Sequence, residues 1–193
     1  RNDHVTEDRI SIRKEAEEKA RILLTEKCGE FSSEDLRAFF GFMNKDFWAG
    51  KETKNRFGMA YVGNNLKALV NQLSTVNEWI KRFWNSEEEL VQVLDEYYSQ
   101  NPIKNAGVAF PSVILYLRNP DKYNLCFKMM IKGLKRVASF SEKRFSAGFY
   151  FRYNDAVNDF KSQHDLRPQE MDILLSFLGV EKNGPVPPNG EYP

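Results

Sequence analysis

The 193-residue sequence predicts a mainly α, compact multi-helix domain of about seven or eight helices. In segment after segment, apolar residues recur at intervals of three and four, which places them on one face of a helix. Glycine, proline or a capping residue separates these segments. No two-residue turn joins two strand-like runs, and the one alternative to helix is a short β element at the aromatic run 149–153.

The first predicted helix spans residues 6–28, with Thr6 as its cap and Gly29 after its end. Its apolar residues at helical spacing are Ile12, Ala16, Ala20, Leu23 and Leu24. Because its first half is mostly charged, we expect this helix to project from the body or to pack on a partner. We therefore set residues 1–30 apart as an N-terminal charged helix.

Three further helices are predicted in the first half of the chain. Ser32 begins the second helix, and with Asp35 it forms a capping-box pattern. The third helix runs over residues 64–84, with its apolar residues on one face. The fourth opens at Ser86, and its first turn holds three carboxylates, which suit the positive end of a helix dipole. These carboxylates are Glu87, Glu88 and Glu89.

Four more helices are predicted in the second half, each bounded by proline, glycine or a polar loop. They cover residues 111–117, 125–140, 149–162 and 168–178. The tail, residues 183–193, is rich in proline and glycine, so we expect a linker to a downstream domain. Residues 31–182 are then the main helical domain.

The composition excludes several classes of protein. Apolar residues make up 41% of the chain and charged residues 28%, which is ordinary for a folded soluble domain. No window approaches the length of a membrane span, and no signal peptide opens the chain. Cys28 and Cys126 have no Cys or His neighbour at metal-ligand spacing. We therefore expect a reducing, cytoplasmic location, with no membrane contact and no metal.

The sequence offers little for catalysis. His4 and His164 are the only histidines, and each lies in a polar segment where we expect it to be solvated. The chain has no Gly-x-Ser-x-Gly turn, no Gly-x4-Gly-Lys-Ser/Thr phosphate loop and no His-Glu-x-x-His motif. We therefore expect a non-catalytic module with no catalytic residue and no cofactor.

The main charge signal is the basic stretch, residues 128–153, in which seven cations accompany one carboxylate, Glu142. Four of the cations share one helical face, namely Lys128, Lys132, Lys135 and Arg136. Lys143 and Arg144 follow, and then comes an aromatic-basic run that includes Phe149, Tyr150, Arg152 and Tyr153. Cations that neutralise phosphates, next to aromatics that stack on bases, are typical of a nucleic-acid surface. The alternative is a solvated helix face followed by core aromatics.

A second basic patch, residues 45–67, carries five cations and two carboxylates. Aromatic residues are interleaved with the cations, and asparagines there can hydrogen-bond base edges. The alternative is a surface loop over a core that Trp48 anchors. The candidate binding residues of this patch are Lys51, Lys54, Asn55, Arg56 and Tyr61.

Two stretches resemble a known family. One runs from Asp35-Leu36-Arg37 through Phe47-Trp48 to Arg56-Phe57-Gly58 and Gly63-Asn64-Asn65. The other is Asn101-Pro102-Ile103-Lys104-Asn105-Ala106-Gly107-Val108-Ala109-Phe110-Pro111-Ser112, followed by Asn119-Pro120-Asp121-Lys122-Tyr123-Asn124. Over residues 31–180 the chain resembles the N-terminal regions that precede the AAA+ motor in McrB-like restriction GTPases and related defence ATPases.

The resemblance implies a DNA-binding target-recognition module of a restriction-modification system for phage defence. Some members of that family read a modified base in methylated DNA. The implied partners are duplex DNA, a downstream AAA+ motor domain and a nuclease subunit. Base reading requires extrusion and stacking between aromatics, for which the candidates are Tyr61, Phe149, Tyr150 and Tyr153. Lys104, in the second stretch, joins the candidate binding residues. The Pro-Asp-Lys-Tyr turn that ends at Tyr123 is also typical of a structural corner.

Two other functions stay open. In one, the chain is a protein-interaction or assembly domain, whose charged first helix and aromatic face dock on a partner or on the motor subunit. In the other, it is a helical DNA-repair enzyme, because the loop at Gly107 resembles the hairpin of helix-hairpin-helix DNA proteins. Val108-Ala109 replaces the second glycine of that hairpin, and no Asp or Lys follows it at a recognisable catalytic position.

Overall fold

The computed structural model describes residues 7–43 and 66–179, except for 105, 108, 139 and 141–143. Within these residues the chain forms nine α-helices and no strand, which confirms the mainly α prediction. The helices are α1 (Glu7–Glu26), α2 (Ser33–Phe42), α3 (Leu66–Val70), α4 (Leu73–Asn85), α5 (Leu90–Gln100), α6 (Phe110–Arg118), α7 (Lys128–Val137), α8 (Ala147–His164) and α9 (Pro168–Leu178). The run 149–153 lies inside α8, so the alternative of a β element there is wrong. None of the described helices has the length and apolar character needed to span a membrane.

Short-range signals place several helix ends as predicted. The Ser32 hydroxyl accepts a hydrogen bond from the Asp35 amide at 3.1 Å, and Asp35 Oδ2 accepts one from the Ser32 amide at 2.9 Å. The predicted capping box is therefore confirmed. Pro168 begins α9, which ends at Leu178, as the sequence predicts. Gly29, just after α1, has a φ of 76°, a left-handed conformation that favours glycine and ends the helix.

The helix predicted over 64–84 is divided into α3 and α4 at Asn71 and Gln72. The Gln72 side chain accounts for the break. Its Nε2 donates to the carbonyl oxygens of Ala68 (2.9 Å) and Lys104 (3.0 Å), and its Oε1 accepts from the Lys104 amide (2.9 Å). The bonds to Lys104 cross 32 residues of sequence, so local periodicity could not predict them.

The fourth predicted helix starts later than expected, at Leu90, and the carboxylates of 87–89 precede it rather than occupying its first turn. Arg118 explains the delay. Its Nη1 donates to the carbonyl oxygens of Phe83 (2.9 Å), Trp84 (3.3 Å) and Ser86 (2.8 Å). A side chain thus satisfies the carbonyls at the end of α4, and the chain turns there before α5 begins.

The core is centred on α6, in which every residue from Phe110 to Leu117 is buried. Helix α1 packs against α2, α6 and α9, and its Ala16, Ala20 and Leu24 are fully buried. This packing corrects the expectation that the charged first helix projects from the body. Helix α1 is instead one wall of the same core that the remaining helices enclose.

Two glycines bring α7 and α9 into backbone contact. A methyl group at Gly133 would collide with the carbonyl oxygen of Leu175, and one at Gly179 would collide with the carbonyl oxygen of Met129. Arg136 adds a hydrogen bond from its Nη1 to the carbonyl oxygen of Leu178 (2.6 Å). Helix α7 is therefore seated closely along α9, which restricts how its outer face can move.

A buried ion cluster joins α1, α6 and α9. Arg13 Nε donates to Glu17 Oε1 (2.6 Å), and Arg13 Nη2 donates to Asp172 Oδ2. The Tyr116 hydroxyl donates to Glu17 Oε1 (2.9 Å), and Gln169 Nε2 donates to Glu17 Oε2 (2.8 Å). All five side chains are buried. Charges are tolerated at such depth because each has an opposite charge and hydrogen-bond partners.

The electrostatics of the ion cluster single out one carboxyl group. Burial raises the pKa of Asp172 to about 6, with a further contribution from the Glu17 carboxylate, although Arg13 opposes the rise. Burial also disfavours the charged form of Arg13, but Glu17, Tyr116 and Asp172 outweigh it and hold the Arg13 pKa well above its usual value. Arg13 therefore remains charged, and Asp172 titrates below neutral pH.

Candidate nucleic-acid interface

Helix α7 carries its charges on one side. Its ten residues include no acidic residue, and its apolar side chains Met130, Ile131 and Leu134 are buried with Gly133. Its exposed cations are Lys128, Lys132, Lys135 and Arg136, which we call the cationic face. The helical period separates these cations from the apolar residues, as the sequence predicts.

Part of the cationic face also serves the fold. Lys135 and Arg136 lie in the last turn of α7, where a positive charge interacts favourably with the negative end of the helix dipole. The bond from Arg136 to the Leu178 carbonyl satisfies an acceptor at the end of α9. Arg136 is therefore both a structural residue and a candidate ligand for phosphate. Lys128 and Lys132 are exposed nearer the start of the helix.

The aromatic half of the basic stretch lies in the core. Tyr150 and Tyr153 are 0% exposed, and their hydroxyls donate to the carbonyl oxygens of Asn124 (3.1 Å) and Leu125 (2.8 Å). Burial raises the pKa of both hydroxyls, which keeps them neutral. Phe149 is buried beside them. The structure thus corrects the assignment of Tyr150 and Tyr153 to a binding surface, because neither ring has an exposed face on which a base can stack.

The other predicted cations are distributed over several elements. Arg152 is exposed on α8, Arg144 is exposed just before α8, and Lys104 is exposed between α5 and α6. Arg144 lines a groove together with carboxylates, so its surroundings there are acidic rather than basic. The remaining candidates lie outside the described residues; they are Lys51, Lys54, Asn55, Arg56, Tyr61 and Lys143.

That groove is another charged surface of the part of the chain that the structure describes. It is open, has a volume of about 880 Å³, and lies between the start of α5 and the segment that precedes α8. We call it the acidic groove. Its carboxylates belong to Glu88, Glu89, Asp95 and Glu96, and Val91 and Phe145 add apolar surface. The sequence analysis interpreted two of these carboxylates, Glu88 and Glu89, as helix-start residues and did not predict a groove.

Two carboxylates of the acidic groove are engaged within the fold. Asp95 Oδ1 accepts the Ala147 amide at 2.8 Å, which helps to begin α8. Glu96 pairs with Arg82, and the hydrogen bond from Arg82 lowers the pKa of Glu96. Glu88 and Glu89 line the groove and are exposed. The negative charge of Glu88 and Glu89 is therefore presented to solvent.

Two parts of the second stretch of the family resemblance, the Gly107 loop and the Pro-Asp-Lys-Tyr turn, are built into the scaffold, whereas most of the first stretch lies outside the described residues. Gly107 has a φ of 68°, and its carbonyl oxygen accepts a hydrogen bond from the Tyr97 hydroxyl at 3.1 Å. Tyr123 is buried, and its hydroxyl accepts from Arg118 Nη2 at 3.0 Å. The Pro-Asp-Lys-Tyr turn therefore forms a structural corner, which is the alternative that the sequence left open.

An amide cluster inside the fold was not predicted. Asn154 Oδ1 accepts from the Asn124 amide (2.7 Å) and from Asn124 Nδ2 (3.1 Å), and Asn158 Oδ1 accepts from Asn124 Nδ2 (2.9 Å). Asn154 and Asn158 are four residues apart on α8, on the face that also carries Tyr150, which is a signal that the sequence contained. These hydrogen bonds connect α8 to the segment before α7. Across the described part of the chain, no group of His, Cys, Asp and Glu side chains could hold a metal ion.

Comparison with protein-family models, with curated proteins and with solved structures gave no match.

Proposed function

We propose that the chain is a non-catalytic DNA-binding module that holds the phosphate backbone of a duplex on the cationic face of α7. The observation that carries the proposal is the arrangement of Lys128, Lys132, Lys135 and Arg136 on one exposed side of a helix that has no acidic residue. Closely spaced cations of one sign bind phosphates and release their counterions, which is the main source of sequence-independent affinity.

The close packing of α7 on α9 supports this proposal. Backbone contact at Gly133 and Gly179 fixes the helix along α9, so its cations extend from a rigid element. Rigid presentation lowers the entropy that ordering a binding surface costs. Phosphate contacts set position rather than sequence preference, so the face by itself predicts binding to duplexes of any sequence.

The finer proposal rests on the family resemblance. In it, the module is the target-recognition region of a McrB-like restriction system and works with a downstream AAA+ motor and a nuclease subunit. Base reading then requires aromatic residues other than Tyr150 and Tyr153, which lie in the core. Tyr61 is the remaining tyrosine candidate of the sequence analysis, and it lies outside the described residues.

The test is binding of a short fluorescent duplex, measured by anisotropy over a series of salt concentrations. We expect binding that weakens with salt. In a variant with Lys128→Glu, Lys132→Glu and Lys135→Glu, the slope of log affinity against log salt should fall by about three, because three phosphate contacts are lost. A matched control reverses Lys14, Lys19 and Lys27, which are exposed on or just after α1, and so changes the net charge equally.

The two triple variants must differ for the proposal to hold. Equal losses in both variants would mean that net charge alone governs binding, and the assignment to α7 would fail. Methylated and unmethylated duplexes of the same sequence test the finer proposal. Equal affinity for the two supports backbone binding alone, whereas tighter binding to the methylated duplex supports target recognition.

A further inference from the structure

Two exposed apolar residues each lie within one of the oppositely charged surfaces. Among the described residues, the exposed large apolar side chains are Ile12, Ile22, Val91 and Met129. Met129 is 38% exposed and lies on α7 at the edge of the cationic face, next to Lys128 in sequence. Val91 is 55% exposed and lines the acidic groove. Each surface therefore combines an exposed apolar residue with charges of a single dominant sign.

We propose that the chain associates with a second copy of itself, with the cationic face of one copy seated on the acidic groove of the other. Apolar residues surrounded by charge are the usual anatomy of a protein interface, in which the apolar centre is desolvated and the charges select the partner. Here Met129 would be covered by the surface around Val91, and Lys128 and Lys132 would approach Glu88 and Glu89.

A second copy is the occupant because the chain itself supplies both complementary surfaces. Its net charge is only +1, so two copies do not repel each other strongly as whole molecules. The contact joins two different surfaces, so it is heterologous, and it either closes as a ring or continues as an open chain of copies. Since its charges are exposed, the association is weak and sensitive to salt.

Association through α7 would also affect DNA binding, a consequence that rests on the proposed function. A duplex and a second copy would use the same side of α7, so each would exclude the other. The groove carboxylates of the second copy would then occupy the positions on α7 that DNA phosphates would otherwise take. The association itself does not depend on DNA, because it follows from the two surfaces alone.

The test is sedimentation velocity of the full chain over a range of concentrations, at low and at high salt. We expect the wild-type protein to associate at low salt and to dissociate at high salt. The face variant, Lys132→Glu with Lys135→Glu, and the groove variant, Glu88→Lys with Glu89→Lys, should each remain monomeric. A control that changes Glu26 and Glu30, both exposed near the end of α1, to Lys should associate like the wild type.

Mixing the two charge-reversed variants is the decisive step. The groove variant retains the wild-type cationic face, and the face variant retains the wild-type groove, so the mixture should associate although neither variant does alone. Recovery in the mixture also shows that both variants are folded. A mixture that stays monomeric, or a wild-type protein that is monomeric at every concentration at low salt, would overturn the inference.

The duplex-binding assay separates this inference from the proposed function. The groove variant should bind the fluorescent duplex at least as tightly as the wild type, because its cationic face is intact and a competitor for it is gone. If the wild type does not associate but binds duplex through α7, only the inference is wrong. If the mixture associates but the α7 variant binds duplex normally, only the proposed function is wrong.

Discussion

Helices α1 and α7 are both rich in charge, and they place that charge in opposite environments. Helix α1 directs Arg13 and Glu17 into the core, where they form the ion cluster with Asp172. Helix α7 directs its apolar residues into the core and leaves its cations exposed. Charge in α1 thus holds three helices together, whereas charge on α7 is presented at the surface, where a ligand or partner can reach it.

The physical reason for the difference is what packs against the buried side of each helix. An isolated charge in the core is costly, so α1 can bury Arg13 only because α9 supplies Asp172 and α6 supplies Tyr116. The buried side of α7 lies against the backbone of Leu175 in α9 and of Gly179 just after it, which leaves no room for a long side chain, so the cations lie on the outer side. Loss of charge in α1 should therefore destabilise the fold, whereas loss of charge on α7 should change binding.

The largest expected effect is that of Arg13→Met. The change removes the cation from the ion cluster and leaves Glu17 and Asp172 buried without it, which should lower the free energy of unfolding by about 3–5 kcal/mol. Denaturation in urea measures the loss. Lys14→Met, an exposed neighbour on the same helix, is the control and should change the free energy by less than about 0.5 kcal/mol. Similar values for the two variants would show that the ion cluster does not hold the helices.

The next effect is the pH dependence that Asp172 introduces. Its pKa is about 6 in the folded protein, above the usual 3.8, so between these values the folded state binds more protons than the unfolded state. The free energy of unfolding should therefore fall as the pH rises through this window, by roughly 2–3 kcal/mol, and the contribution should be constant above it.

Asp172→Asn isolates this contribution, because the variant keeps an oxygen that accepts from Arg13 but cannot titrate. Urea denaturation of both proteins at several pH values between 4 and 7 gives the difference between the two curves. We expect that difference to change across the window. Parallel curves would place the Asp172 pKa outside it.

Gly133→Ala should lower the free energy of unfolding by about 1–3 kcal/mol, because the added methyl group collides with the Leu175 carbonyl and forces α7 away from α9. The matched control is Gly41→Ala, since Gly41 is also helical and a methyl group there would meet no atom of the described residues within 4 Å. In the control, alanine should stabilise the helix by about 0.5–1 kcal/mol. Thermal and urea denaturation measure both. A stabilised Gly133→Ala variant would mean that α7 is not seated by backbone contact.

The smallest expected effect on stability belongs to the cationic face itself. Reversal of Lys128, Lys132 and Lys135 to Glu should lower the free energy of unfolding by less than about 1 kcal/mol, most of it through the helix dipole at Lys135. Urea denaturation checks the value. A loss as large as that of Arg13→Met would contradict the contrast between the two helices.

The sequence predicted most of the helices and the cationic side of α7, because both follow from local periodicity. The burial of charge in α1 was missed, although Arg13 and Glu17 fall on the same helical face as Ala16, Ala20 and Leu24. That register was the available signal. A charged residue in line with an apolar stripe indicates a buried partner, but only the fold shows that Asp172 supplies it.

Other features could not be predicted from local patterns. The break at Gln72 depends on Lys104, and the delayed start of α5 depends on Arg118, both distant in sequence. The rings of Tyr150 and Tyr153 are equally compatible with a stacking surface and with a core. Their burial is decided by the carbonyls of Asn124 and Leu125, which the fold brings to their hydroxyls.

The central claim, that the cationic face of α7 binds the backbone of DNA, is tested most directly by the salt dependence of duplex affinity. The comparison is between the wild type, the triple Glu variant of α7 and the matched triple variant of Lys14, Lys19 and Lys27. We predict that the slope of log affinity against log salt falls by about three in the α7 variant and stays near the wild-type value in the control. An α7 variant that keeps the wild-type slope and affinity while the protein remains folded would contradict the claim.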